Sequence, residues 1–253
     1  MNKVLVIGDG CKDVFQYGKC ERLSPEAPVP IFKPVKIKDN GGMAMNVYAN
    51  LLALGVDCDI LTNSGITKTR YVDEVSNQML LRVDENDEVE NIFLNDLASI
   101  KYDLYDAIVI SDYDKGFLSE TDIIYICNNH PLVFMDTKKE IGDWAYGVEF
   151  IKLNKKEFDA NAENLLKEYD GELVITLGKE GAMHWLNKYP IESTDEHPVR
   201  DLTGAGDTFM AGLVAKYLEN KNVPEAIKFA NKCASWAVTQ KGVSVIDLNK
   251  IKI

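Results

Sequence analysis

Six short apolar runs, at 4–8, 57–62, 107–111, 132–136, 150–154 and 173–178, alternate with segments whose apolar residues recur at helical spacing. The helical segments fall at 43–54, 88–100, 120–128, 156–169, 205–219 and 224–239. A strand too short to return on itself, followed by a helix, must cross over and pair in parallel with its predecessor. The alternation therefore predicts an α/β fold, a parallel sheet with helices on both faces. A chain of 253 residues fits one large domain of this kind or two small ones, and 46% hydrophobic residues suffice for a substantial core.

Residues 15–38 and 67–84 break the alternation. They are rich in β-branched, charged and proline residues, lack a helical period, and read as strands outside the main sheet. They form either a small β-layer covering the carboxyl edge of the large sheet, a lid where such sheets bind ligands, or a pair of surface hairpins; pattern alone barely separates the two.

Bulk properties exclude several function classes. No apolar run is long enough to span a bilayer, and Met1 leads straight into Val4-Leu5-Val6-Ile7 without a signal-peptide layout. A net charge of −12 argues against nucleic acid or an anionic membrane as partner. Cysteines 11, 20, 58, 127 and 233 contain no CxxC pair, so neither a disulfide framework nor a zinc site is indicated, and a reducing cytoplasm is expected. His130, His184 and His197 are isolated and read as surface or loop residues.

Chemistry concentrates in Asp201-Leu202-Thr203-Gly204-Ala205-Gly206-Asp207-Thr208-Phe209, which follows a short extended segment at 198–201 and opens a helix. Glycines at a helix mouth leave backbone N–H groups bare, and with the helix dipole these form an anion site. Asp207 cannot itself bind an anion; it fits a base beside a phosphate, taking the proton of an attacking hydroxyl. The alternative is a plain loop-to-helix junction capped by Thr203 and Asp207. No Walker A loop and no dinucleotide GxGxxG occurs, so the anion hole would work through Gly-Ala-Gly amides rather than a P-loop.

This nonapeptide resembles the C-terminal signature of the ribokinase-like (PfkB) sugar kinases. The resemblance implies a single ribokinase-like domain over 1–253, a three-layer α/β/α sandwich with lid strands from about 14–40 and 66–85. It also implies an anion hole at Gly204, Ala205 and Gly206 and a catalytic base at Asp207. Gly8-Asp9 with Asp13, and Leu23-Ser24-Pro25-Glu26-Ala27-Pro28-Val29-Pro30, resemble the heptose 7-phosphate kinase branch. So do Lys68-Thr69-Arg70, Asn77-Gln78 with Leu81-Arg82-Val83-Asp84, and Ser111-Asp112-Tyr113 with Lys115-Gly116. The chain departs from the family after Leu61-Thr62, where a strand–helix unit is replaced by Asn63-Ser64-Gly65-Ile66, and it is shortened between Asn154 and Leu173.

Residue by residue, the resemblance assigns sugar binding to Asp9, Asp13, Gly41, Gly42, Asn46, Lys68, Arg70, Arg82 and Asp112. Asp9 suits an Asx turn as well, Asp13 less so, and Gly41-Gly42 suits a plain helix start. Lys68 and Arg70 share a face of an extended strand and suit a phosphate already on the substrate, or a merely solvated face. Asn154 and Glu157 match an element that organises magnesium and its waters; they also suit a helix N-cap with an acidic first turn, and both readings hold together. Lys138, beyond Asp136, would steady a phosphate, and Thr176, Gly178 and Gly181 would run beside the nucleotide. The implied activity is transfer from ATP, with Mg2+, to the anomeric hydroxyl of D-glycero-D-manno-heptose 7-phosphate. The alternatives are another sugar phosphate as acceptor, or a non-catalytic sugar-phosphate or nucleotide-binding protein. A homodimer through the lid is expected from its apolar Phe15, Tyr17, Val29, Ile31, Phe32, Val35 and Ile37.

Overall fold

Along the first strand, Val4 and Val6 pack into one core and Leu5 and Ile7 into another, the signature of a strand buried on both faces. The computed structural model describes residues 2–191 and 199–251; Met1, His197 and Pro198 lie outside the described residues. In chain order, β1 (Lys3–Gly8) leads into β2 (Gly10–Leu23), β3 (Pro30–Met43), α1 (Ala44–Ala53) and β4 (Asp57–Thr62). Next come β5 (Thr67–Asp73), β6 (Met79–Glu85), α2 (Leu94–Ser99), β7 (Ala107–Asp112) and α3 (Glu120–Asn129). The chain continues through β8 (Val133–Thr137), β9 (Phe150–Asn154), α4 (Lys155–Glu168), β10 (Glu172–Thr176), β11 (Ala182–His184) and β12 (Asn187–Tyr189). It closes with α5 (Ala205–Asn220) and α6 (Val223–Ala237).

The main sheet has the order β12-β11-β10-β9-β8-β7-β1-β4 and is parallel from β10 to β4. Leu97 of α2, Ile123 and Ile126 of α3 and Leu165 of α4 cover one face. Val47 and Leu51 of α1, Phe209 and Leu213 of α5 and Ile227 and Ala230 of α6 cover the other. This is a three-layer α/β/α sandwich.

Two expectations are corrected. The helix at 88–100 shrinks to α2, because Val89 and Ile92 donate their amides to the carbonyls of Lys115 and Phe117, which holds that stretch extended. The sheet is also mixed, since β11 and β12 add an antiparallel hairpin at one edge.

The two irregular regions meet in one four-stranded sheet, β3-β2-β5-β6, rather than standing as separate hairpins. Its strands leave the main sheet at the carboxyl ends of β1 and β4, which places it above that edge. Phe15 and Tyr17 turn inward against Val72 and Val243, so they are not free apolar surface. Val29, Val35, Ile37, Met79 and Leu81 are exposed. Among the described residues no helix is long and apolar enough to cross a membrane.

Candidate active site

The first turn of α5 is built around Gly204, whose φ of 78° lies in the left-handed region that glycine tolerates. A Cβ there would stand 2.7 Å from Asn46 Nδ2, so the backbone approach also requires glycine. No side chain caps this helix, and a Cβ on Gly206 would meet only Lys152 Nζ, at 3.1 Å. The Ala205 amide donates to the Leu202 carbonyl at 3.3 Å, while the amides of Gly204 and Gly206 take no backbone partner among the described residues and are available to an anion.

Asp207, only 4% exposed, sits just inside this mouth. The Tyr113 hydroxyl donates to its Oδ1 at 2.6 Å and Asn46 Nδ2 donates to its Oδ2 at 3.0 Å. Asn46 is oriented by Asn50, whose Nδ2 donates to Asn46 Oδ1 at 2.9 Å and whose own Oδ1 accepts the Ile246 amide. Burial disfavours the carboxylate and pushes its pKa up to about 6, against the pull of Tyr113 and Asn46. Burial and the charge of Asp207 push the Tyr113 hydroxyl well above its ordinary value, so it remains a donor. Asp207 is therefore ionised at neutral pH yet more basic than a free aspartate, the condition a general base needs.

A cavity of about 310 Å³ opens over Asp207 between the main sheet and the lid. Asp13, Lys68, Arg70, Arg82, Gly204 and Asp207 all line it, with Tyr113, Lys115 and Lys138. Asp13 and Arg70, 57 residues apart in sequence, form a buried ion pair. Gly42 lies against Asp13, where a Cβ would collide with the carboxylate, and Gly41 precedes it at the end of β3. Lys68 bonds Asp84 at 3.2 Å and also Asp87, which Lys115 shares. Arg82 forks onto Asp84 with two bonds of 2.6 Å. The Arg82 hydrogen bonds hold the Asp84 carboxyl down at about 2.

Behind the helix mouth lies a second charged group. Buried Lys152 pairs with Asp136, and Lys138 bridges Asp136 at 3.1 Å and Glu157 at 2.6 Å. Burial works against the charge of Lys138, but Asp136 and Glu157 outweigh it and hold its pKa above the ordinary lysine value. Asn154 and Glu157 form a reciprocal capping box at the start of α4. One Glu157 oxygen is on Lys138 and the other on the Asn154 amide, so neither is free for direct ligation of a metal. Thr176 ends β10, donating to the Leu153 carbonyl, and Gly178 and Gly181 bracket the turn into β11.

Of the expected sugar ligands, Asp13, Lys68, Arg70 and Arg82 line the cavity, whereas Asp9, Gly41, Gly42, Asn46 and Asp112 lie beside it. Asp9 is buried with Oδ2 accepting the amides of Tyr113 and Lys115, and Asp112 is buried against Thr137, Lys139 and the Asp114 amide. Neither lines the cavity; both brace the loop that carries Tyr113. Sequence reasoning gave no role to Tyr113 or Lys152. A lysine inside the otherwise apolar run of β9 was the available signal for the latter.

The pattern of the family described as pfkB family carbohydrate kinase matches residues 119–250, just over half of the chain. The "Bifunctional protein HldE" of a Nitratiruptor species is 32% identical over 99% of this chain, which spans 64% of that relative's length. Among solved structures, the ribokinase of Thermotoga maritima superposes with a TM-score of 0.72 at 16% identity, covering 96% of this chain and 95% of that one. Arabidopsis thaliana ribokinase complexed with ribose and ATP gives 0.69 at 15% identity, over 95% of this chain and 94% of that one. At these identities the two structures speak for the fold.

Proposed function

The chain belongs to the pfkB family of carbohydrate kinases, and we propose that it is an ATP-dependent sugar kinase whose acceptor is D-glycero-D-manno-heptose 7-phosphate, converted to the 1,7-bisphosphate. The observation that carries the chemistry is Asp207: a buried carboxylate with a pKa pushed up to about 6, directly after the Gly-Ala-Gly helix mouth and facing a cavity. Asp207 takes the proton of the anomeric hydroxyl as that oxygen bonds to the γ-phosphorus of ATP. The bond from that phosphorus to the bridging oxygen breaks, and ADP leaves. Amides of Gly204, Ala205 and Gly206 hold the charge developing on the transferred group. Asp13, Gly41, Gly42 and Asn46 position the sugar, while Lys138, Thr176, Gly178 and Gly181 lie on the nucleotide side. Magnesium, held by the phosphates and through water by Asn154 and Glu157, would neutralise phosphate charge when bound.

The choice of heptose rests on the Leu23-to-Pro30 run and the Lys-Thr-Arg segment, and on the relative's name. A coupled assay of ADP release across the heptose 7-phosphate, hexose 6-phosphates and unphosphorylated sugars tests it. The heptose phosphate should give the highest kcat/KM. Preference for a hexose phosphate would replace the acceptor, and ATP binding without turnover of any sugar would leave a binding protein.

The exposed Val29, Val35 and Ile37 on the lid favour a homodimer through that sheet, and five free cysteines favour a cytoplasmic location. Light scattering at micromolar concentration should give twice the chain mass; a fully active monomer would exclude the lid dimer as a requirement.

A further inference from the structure

We propose that the acceptor's distal phosphate is held in a second chamber under the lid by Arg200 and Lys241, and not by the Lys68 and Arg70 pair that the sequence suggests. This rests on the reading of the acceptor as a sugar phosphate. The chamber measures about 280 Å³ and adjoins the catalytic cavity, sharing Arg70, Arg82 and Thr203 with it. Among the described residues, Arg70, Arg82, Arg200 and Lys241 line it against a single carboxylate, Asp201, in a chain of net charge −12. That carboxylate is already used: Oδ1 accepts the Thr203 amide at 2.9 Å and hydroxyl at 2.7 Å, and Oδ2 the Gly242 amide at 3.0 Å.

The remaining cations divide by what they already hold. Arg70 is committed to Asp13, Arg82 to Asp84, and Lys68 to Asp84 and Asp87. A phosphate bound there must share each of these cations with a carboxylate that already neutralises part of its charge. Arg200 and Lys241 are exposed and form no ion pair among the described residues, so a phosphate meets them without separating any pair of those residues. Glu74, which feels the charge of Lys241, is itself paired with Lys36 at 2.6 Å. Arg offers a fork and Lys a point charge, a combination suited to a phosphate monoester. Phe15, Tyr17, Val72 and Met79 supply an apolar wall for the carbon chain that joins the phosphate to the sugar ring.

The test compares wild type with an R200Q/K241Q double variant, both surface changes that leave the core untouched. Inorganic phosphate is titrated into each protein saturated with magnesium and a non-hydrolysable ATP analogue, with melting temperature as readout. Wild type should bind phosphate, competitively with a phosphorylated sugar, and the double variant at least tenfold more weakly. In steady state the variant's KM for a phosphorylated sugar should rise at least tenfold more than for its unphosphorylated counterpart. Equal effects on both sugars, phosphate binding unchanged in the variant, or binding that does not compete with the sugar phosphate would each overturn the assignment. Phosphate binding that depends on Arg200 and Lys241, in a protein that turns over no sugar phosphate, would count against the acceptor reading alone.

Discussion

Replacing Tyr113 by Phe removes one O–H group, 2.6 Å from Asp207 Oδ1, and keeps the ring. That hydrogen bond favours the ionised carboxylate, so its loss must raise the Asp207 pKa above about 6. A hydrogen bond to a charged group contributes about 1.5–3 kcal/mol, equivalent to roughly 1–2 pKa units at about 1.4 kcal/mol each. Water entering the space beside the ring recovers part of this, leaving an expected rise of about one unit. A base that must be ionised then loses about tenfold in kcat/KM well below its pKa and almost nothing from this cause well above it. The assay is the pH profile of kcat/KM for both proteins on one sugar. Its acid limb should move from about pH 6 toward about pH 7 in the variant, with the two curves converging or running parallel above about pH 8. A limb that stays in place or moves to lower pH would refute the role assigned to this hydroxyl.

The same burial makes Asp207 a stability defect. Its pKa stands at about 6 in the fold against 3.8 for a free aspartate, so the ionised side chain destabilises the folded state. The cost is fully present above about pH 6 and fades as pH falls toward 3.8, below which both states are protonated. Urea unfolding of Asp207→Asn should therefore show a gain on the order of 1–2 kcal/mol at about pH 8 that shrinks at about pH 5, after allowance for weaker bonds to Tyr113 and Asn46. A loss at the higher pH, or a gain independent of pH, would contradict the burial argument. Gly204→Ala combines a positive φ with a Cβ 2.7 Å from Asn46 Nδ2, and should cost about 1–3 kcal/mol of stability and most of the turnover. Thermal melts and the coupled assay check it; wild-type values in both would show that the helix mouth is not geometrically constrained.

The sheet was legible because its information is local: each parallel strand is a short apolar run, and each crossover helix carries its own period. The stretch from Val89 to Ile92 was misread because its backbone partners, Lys115 and Phe117, are distant in the chain. The short strands β11 and β12 carry too few residues for a periodic signal. In the site, the helix start at Gly-Ala-Gly-Asp was readable because it depends only on adjacent residues. The backbone partners of Asp9 were not legible, because a carboxylate accepts amides as readily as sugar hydroxyls and sequence does not say which lies nearby. Likewise, nothing local to Lys68 or Arg70 reveals that Asp84, Asp87 and Asp13 already occupy them.

The central claim is that Asp207 removes the proton from the attacking hydroxyl, and Asp207→Asn tests it most directly because the amide keeps the shape and cannot take a proton. The expected result is a fall in kcat of about 10²–10⁴-fold with nucleotide affinity, measured by titration, within a few-fold of wild type. A variant whose kcat stays within a few-fold of wild type would contradict it.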